Sequence, residues 1–236
     1  TNFILFRIMP GDPVRAFIPK GISPEVAEII RENMHLNDPM YEQFYYYLIQ
    51  VFQLDFGVTS SYQMGTEVTD ILIPRVFNTL VLVGIGTVIA VFAGVALGRY
   101  VAWRRGQAAD TVGMAFTLTF YTMPTFLLAL GLLILFAGTL DWFPLKGAYG
   151  EIPFMDNPPP YSQMNLLEKV VSRGYHIVLP VLAFSIQIMA DFVLIMRNSL
   201  TDVLTEDYII TARAKGLSDE AVLKDHAMRN ALLPVV

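Results

Sequence analysis

The 236-residue chain contains no cysteine. Disulfides, thiolate metal sites and cysteine nucleophiles are therefore excluded. Histidine is almost as scarce. His35, His176 and His226 stand far apart, and neither H-E-x-x-H nor G-x-S-x-G occurs. No glycine is followed directly by lysine, so the chain lacks the G-x-x-x-x-G-K-[S/T] loop that cradles nucleotide phosphates. Charge is also short: 16% of residues are charged, where soluble domains carry about 25%. The net charge of −5 and pI near 5.1 argue against a nucleic-acid surface, which normally shows as a basic patch. No catalytic residue, metal site or cofactor site is expected.

What the chain does have is apolar residues, 54% of the total, with a mean hydropathy of +0.50. They are gathered into long uncharged runs. A spanning helix needs about 20 apolar residues to cross roughly 30 Å of hydrocarbon. Residues 76–98 and 111–140 carry no charge, and residues 174–196 carry only Asp191. The composition and these runs predict an all-α, multi-pass membrane protein. Residues 1–9 read as the end of one further span and residues 232–236 as the start of another, so the chain is expected to be a fragment. Arg99, Arg104 and Arg105 place the 99–110 loop in the cytoplasm by the excess of basic residues in short inner loops. Residues 10–75 and 141–173 then lie outside, and residues 197–231 are cytoplasmic.

Several features inside the spans admit two readings. Gly86, Ala90, Gly94 and Gly98 recur every four residues and form a stripe of small side chains, suited to close helix packing within the chain or to a subunit interface. Met123-Pro124-Thr125 kinks the second span, either lining a path or merely bending a packed helix; neighbouring helices or threonine side chains must satisfy the freed carbonyls. Asp191 is either a functional intramembrane carboxylate or a group snorkelling to the nearby interface.

Outside the spans, Pro10-Gly11-Asp12-Pro13 is a turn cluster. Ser23-Pro24-Glu25 starts a helix through about Asn33, and Pro39 opens another that holds Tyr41, Phe44, Tyr45, Tyr46, Tyr47 and Phe52. That aromatic crowd suits an interfacial belt or an external contact. Trp142 and Phe143 read as an interface anchor, and Pro158-Pro159-Pro160 as part of a stiff outer excursion.

The inner stretch after residue 200 is mixed in character. Residues 201–215 read as a helix with Arg213 and Lys215 in its last turn. Gly216 fits the left-handed position that ends helices. Ser218 caps a second short helix, with Asp219 and Glu220 in its first turn, ending near residues 226–229. This helix suits docking into a groove on another protein, with Ala221, Val222, Leu223, Ala227 and Met228 as apolar contacts and Asp219, Glu220, Lys224 and Asp225 at the rim. A solvated loop or a helix lying on lipid is the other reading, and the balanced charge weakens the latter.

Tyr208-Ile209-Ile210-Thr211-Ala212-Arg213-Ala214-Lys215-Gly216-Leu217-Ser218, followed by His226-Ala227-Met228-Arg229-Asn230-Ala231-Leu232-Leu233-Pro234, resembles the cytoplasmic loop of the dipeptide/oligopeptide/nickel branch of ABC-importer permeases. Leu36-Asn37-Asp38-Pro39, Asp55-Phe56-Gly57, Asn78-Thr79-Leu80 and Met123-Pro124-Thr125-Phe126 agree in order. His35 and Leu54 stand where this branch often has glycine, Thr211-Ala212 replaces most of a Glu-Ala-Ala signature, and Asp191 is unusual. The resemblance implies a six-helix transmembrane domain in the cell (inner) membrane, forming half of an ATP-driven import path for peptides, nickel or oligosaccharides. It implies a second permease subunit, two cytoplasmic ATPases that bind the ATP, and an external solute-binding protein. The coupling residues would be Ala212, Arg213, Lys215, Gly216, Leu217, Ser218, Asp219, Glu220, Val222, Leu223, His226 and Arg229. An ion-coupled secondary carrier is the alternative, with Asp191 as its lone intramembrane carboxylate.

Overall fold

The computed structural model describes residues 3–4, 23–33, 35–59, 65–153, 155 and 157–235. The 10–13 turn and most of the expected span end over residues 1–9 lie outside the described residues. Among those described, regular structure is helical apart from one isolated bridge, Val58 to Glu67. Residues 1–77 and 78–236 form two compact units.

In the first unit, α1 (Pro24–Asn33) begins where the Ser23 hydroxyl accepts from the Val26 N–H at 3.5 Å. It closes at His35, whose φ is +54°. The His35 N–H donates to the Glu32 carbonyl at 3.0 Å and the Leu36 N–H to Arg31 at 2.9 Å, the paired bonds of a left-handed helix stop. α2 (Met40–Phe52) follows Pro39 and buries none of its residues. It stops in the same way at Leu54, φ +58°, where the Leu54 and Asp55 N–H groups donate to Val51 and Gln50 at 3.2 and 2.9 Å. Both positions where the branch often has glycine thus adopt a positive φ. His35 is held there by its Nδ1, 2.7 Å from Asp38 Oδ2, and by stacking on Tyr46 at 4.0 Å.

The long helix α3 (Val68–Trp103, 36 residues) extends past both ends of the uncharged run 76–98. Its small-residue stripe is a packing seam within the chain. A Cβ on Gly86 would lie 2.5 Å from Phe184, one on Gly94 2.5 Å from Phe192, and one on Gly98 2.8 Å from Met196 Cβ and the Val193 carbonyl. Ala90 is fully buried. The seam is therefore occupied by the chain itself, and the Ser185 hydroxyl crosses it to the Gly86 carbonyl at 3.1 Å. The opposite side of α3 exposes Leu80, Val88 and Phe92, an apolar surface suited to lipid.

The second expected span is not one kinked helix. α4 (Ala108–Thr122) and α5 (Thr125–Leu132, continued by a π-helical turn Leu133–Thr139) meet at 101°. Met123 is extended (ψ 127°) because the following proline ring disfavours helical geometry before it. The Thr122 hydroxyl donates to the Leu118 and Thr119 carbonyls at 3.0 and 3.3 Å; the latter is one of the last four acceptors of α4, which have no partner further along the helix.

α6 (Leu166–Val203, 38 residues) is the backbone of this unit. It starts with a reciprocal cap: Asn165 Oδ1 accepts from the Glu168 N–H, and Glu168 Oε2 accepts from the Asn165 N–H, both at 2.9 Å. It runs through Val203, so the helix expected over 201–215 is divided. Residues 204–206 turn, and α7 is Asp207–Ala214. Then come α8 (Asp219–Ala221), a π-helical segment (Val222–Ala227) and α9 (Met228–Ala231). The excursion before α6 folds back onto it. The Gly150 N–H donates to Ser172 Oγ at 2.9 Å, Tyr149 stacks on Tyr161 at 4.1 Å, and Arg173 donates to the Tyr161 hydroxyl at 2.5 Å. Trp142 is anchored by its carbonyl, which accepts from the Tyr175 hydroxyl at 2.8 Å.

Candidate functional site

The stretch after α6 makes a sharp corner. α7 ends at Gly216, φ +80°. The Gly216 N–H donates to the Arg213 carbonyl at 2.9 Å and the Leu217 N–H to Ala212 at 3.4 Å. Only glycine adopts this backbone without a Cβ penalty. The chain then re-enters a helix at once, because the Ser218 hydroxyl accepts from the Ala221 N–H at 3.4 Å.

The corner is clamped to the end of the bundle by its own small core. Ala102 of α3, Met196 and Leu200 of α6, Ile209 and Ala212 of α7, and Val222, Ala227 and Ala231 pack together with at most 5% of each exposed. The π-helical segment explains which residues face inward. Hydrogen bonds to the fifth residue widen the turn, so Val222 and Ala227, five apart, share a face that an α-helix would not give them. Ala227 and Ala231 then follow at ordinary helical spacing. Asn230 Nδ2 donates to the Tyr208 hydroxyl at 2.8 Å, tying α9 to α7.

This geometry corrects the expected docking face. Val222 and Ala227 are fully buried against the chain's own helices and cannot contact another protein. Ala212 belongs to the same inner layer. The open face is formed by Arg213, Lys215, Leu217, Ser218, Asp219, Glu220, His226 and Arg229, all exposed. Leu223 is half-buried and, with Met228, walls a cleft of about 500 Å³ against Tyr100 and Trp103 of α3 and Arg104 just after it.

A second element braces the corner. Arg197 donates from Nε to Asp110 Oδ1 at 3.0 Å and from Nη2 to Oδ2 at 3.1 Å. Such a two-pronged pair fixes orientation as well as attraction. Asp110 also accepts from the Gly106 N–H at 3.0 Å, which closes the tight 104–107 connection. The pair escaped the sequence reading, although a signal existed. Asp110 directly precedes the uncharged run 111–140 and Arg197 directly follows the apolar run 174–196, at the same end of neighbouring helices.

Among the described residues, no group of three His, Asp or Glu side chains converges as a metal site. The arrangement is mechanical: a rigid, polar-faced corner locked to two long helices.

Residues 94–236 match the family described as binding-protein-dependent transport system inner membrane component, and residues 1–83 its N-terminal membrane part. The chain belongs to that family. It is 33% identical over 236 residues to the oligopeptide transport system permease protein AppB of Bacillus subtilis, covering all of this chain and 70% of the relative. It is 32% identical over 244 residues to the dipeptide transport system permease protein DppB of Escherichia coli K12, covering 100% and 71%. The glutathione transport system permease protein GsiC of Salmonella choleraesuis is 31% identical over 234 residues, covering 99% and 68%. The chain is accordingly a permease subunit of an ABC importer and an all-α, multi-pass protein of the inner membrane. It is a transport component rather than an enzyme, and works with a solute-binding protein and other subunits.

Proposed function

We propose that this permease imports peptides, and that its corner is the seat for a cytoplasmic ATPase. Oligopeptide, dipeptide and glutathione permeases all align along nearly the whole chain, which supports a peptide cargo. In this reading the 104–107 connection and the 204–231 segment face the cytoplasm. A second permease completes the path, two ATPase subunits bind the ATP, and an external binding protein delivers the peptide.

The observation that carries the coupling role is the division of the corner into two faces. One face is locked by Ala212, Val222, Ala227 and Ala231 into the bundle; the other presents Arg213, Lys215, Gly216, Leu217, Ser218, Asp219, Glu220, His226 and Arg229 outward. A push on the open face therefore reaches α3 and α6 without slack. ATP-driven closure of the ATPases would use it to shift the helices between two packings. Leu223 acts from the side, as a wall of the cleft.

The test is co-purification of the assembled importer carrying Leu217→Asp with Glu220→Lys. ATPase subunits should be lost while the permease keeps its thermal midpoint, because both side chains are exposed. Retention of the ATPases at the original stoichiometry would remove the corner from this role. Uptake of a dipeptide that stops on ATP depletion, but persists without a membrane potential, is the matching functional result.

A further inference from the structure

The long helix α6 carries a polar face that the coupling role does not use. At 3.6 residues per turn, Gln187, Asp191, Asn198 and Asp202 fall within an arc of roughly 60°, which turns away from the α3 seam below Phe184. Four polar side chains elsewhere on α6 behave differently. Ser172 accepts from Gly150, His176 bonds the Ser172 carbonyl at 2.8 Å, Ser185 donates to Gly86 and Arg197 grips Asp110. Those are satisfied inside the fold. On the polar face, the Asp191, Asn198 and Asp202 side chains are exposed and make no hydrogen bond or ion pair with any described residue.

The depth of this face is set by the Asp110–Arg197 pair, which marks one end of the apolar runs. Gln187 is ten residues from Arg197, about 15 Å along the helix, or half of a core roughly 30 Å thick. Asp191 is about 9 Å in. A long lysine or arginine can reach an interface over such a distance, but aspartate has a single methylene and cannot. The helix break lies at the same level. Thr125, the first residue of α5, donates its hydroxyl to Gln187 Oε1. Irregular backbone at membrane depth is tolerated only where protein buries it or water reaches it. An unpaired carboxylate at that depth likewise faces a wet interior rather than lipid.

We propose that this face of α6 is a water-lined wall of the solute path, and that Asp191 is the group on it that receives the solute's cationic end. This rests on the peptide-import reading, since a free peptide amine supplies such a cation.

The chain's lack of cysteine gives a direct test in the complete importer, assembled in vesicles with its partners' cysteines replaced. Single cysteines at 187 and 191 should react with a charged, membrane-impermeant methanethiosulfonate at least tenfold faster than Phe92→Cys on the apolar side of α3. Rates as slow as that control would mean lipid or packed protein covers the face, and would overturn the wall whatever the cargo proves to be. In uptake assays with a free-amine dipeptide, Asp191→Asn should slow transport about tenfold and Asp191→Glu should restore most of it, with basal ATP hydrolysis unchanged. Equal loss in both variants, or in neither, would overturn the role of Asp191. A complex that imports no peptide yet shows the labelling pattern would overturn the cargo and leave the wall standing.

Discussion

Leu54 and Gly216 both end a helix with a left-handed residue and the same pair of hydrogen bonds, yet one side chain is bulky and the other absent. At Leu54 (φ +58°) the residue is exposed and the preceding helix α2 buries nothing. At Gly216 (φ +80°) a Cβ would meet nothing within 4 Å, so crowding does not demand glycine there either. What differs is the load. The Leu54 stop joins two surface segments, and a left-handed strain of about 1–2 kcal/mol stays local. The Gly216 stop joins α7 and α8 above a closed core of eight buried residues. Any change of its angle would pull Ala212 and Val222 apart. The backbone requirement is the same; the consequence of missing it is not.

Three substitutions separate these cases. Val222→Asp places an unpaired carboxylate in the closed core and should cost about 4 kcal/mol or more, read as a large drop in thermal midpoint or loss of folded protein. A mild effect would mean that the core beneath the corner is not closed. Gly216→Val forces a β-branched residue into the left-handed region and should cost roughly 1–3 kcal/mol. Because the corner links the core to the open face, ATP consumed per peptide imported should rise more than stability falls. Unchanged coupling would show that this stop carries no more load than Leu54. Leu54→Gly is the smallest change. Relief of the left-handed strain slightly exceeds glycine's entropic cost of up to ~1 kcal/mol, so hydrogen exchange at the Asp55 amide should slow by a few-fold. Faster exchange would show that the Leu54 side chain supports its turn after all.

Much of this was legible in the residues. Long apolar runs, uncharged in α3 and broken only by Asp191 in α6, mark these two helices because a membrane helix must be largely apolar over its length. The spacing of Gly86, Ala90, Gly94 and Gly98 marks a seam, although only the contacts with Phe184, Phe192 and Met196 say that α6 fills it. Gly216 and Ser218 mark the corner through rules that are local. The apolar side chains of the 219–231 segment read as docking contacts because apolarity does not say which protein is covered: Val222 and Ala227 cover the chain's own core, and the π-helical turn brings the two to one side. Pro124 signals a break but not its 101° angle, which the packing of α4 and α5 on α6 determines. The Asp110–Arg197 pair joins residues 87 apart, a separation over which no periodicity speaks.

The unbroken length of α6 turns geometry into gearing. Its 38 residues extend about 57 Å at 1.5 Å per residue. If it pivots near the corner, a tilt of only ~5° there would carry the Asn165 end sideways by roughly 5 Å at that rise. Pro180 removes one rung from the ladder, so the part of the helix toward Asn165 has a built-in point of compliance. A small stroke at one end of such a helix becomes a wide sweep at the other, with the Asn165 portion free to lag behind the rest.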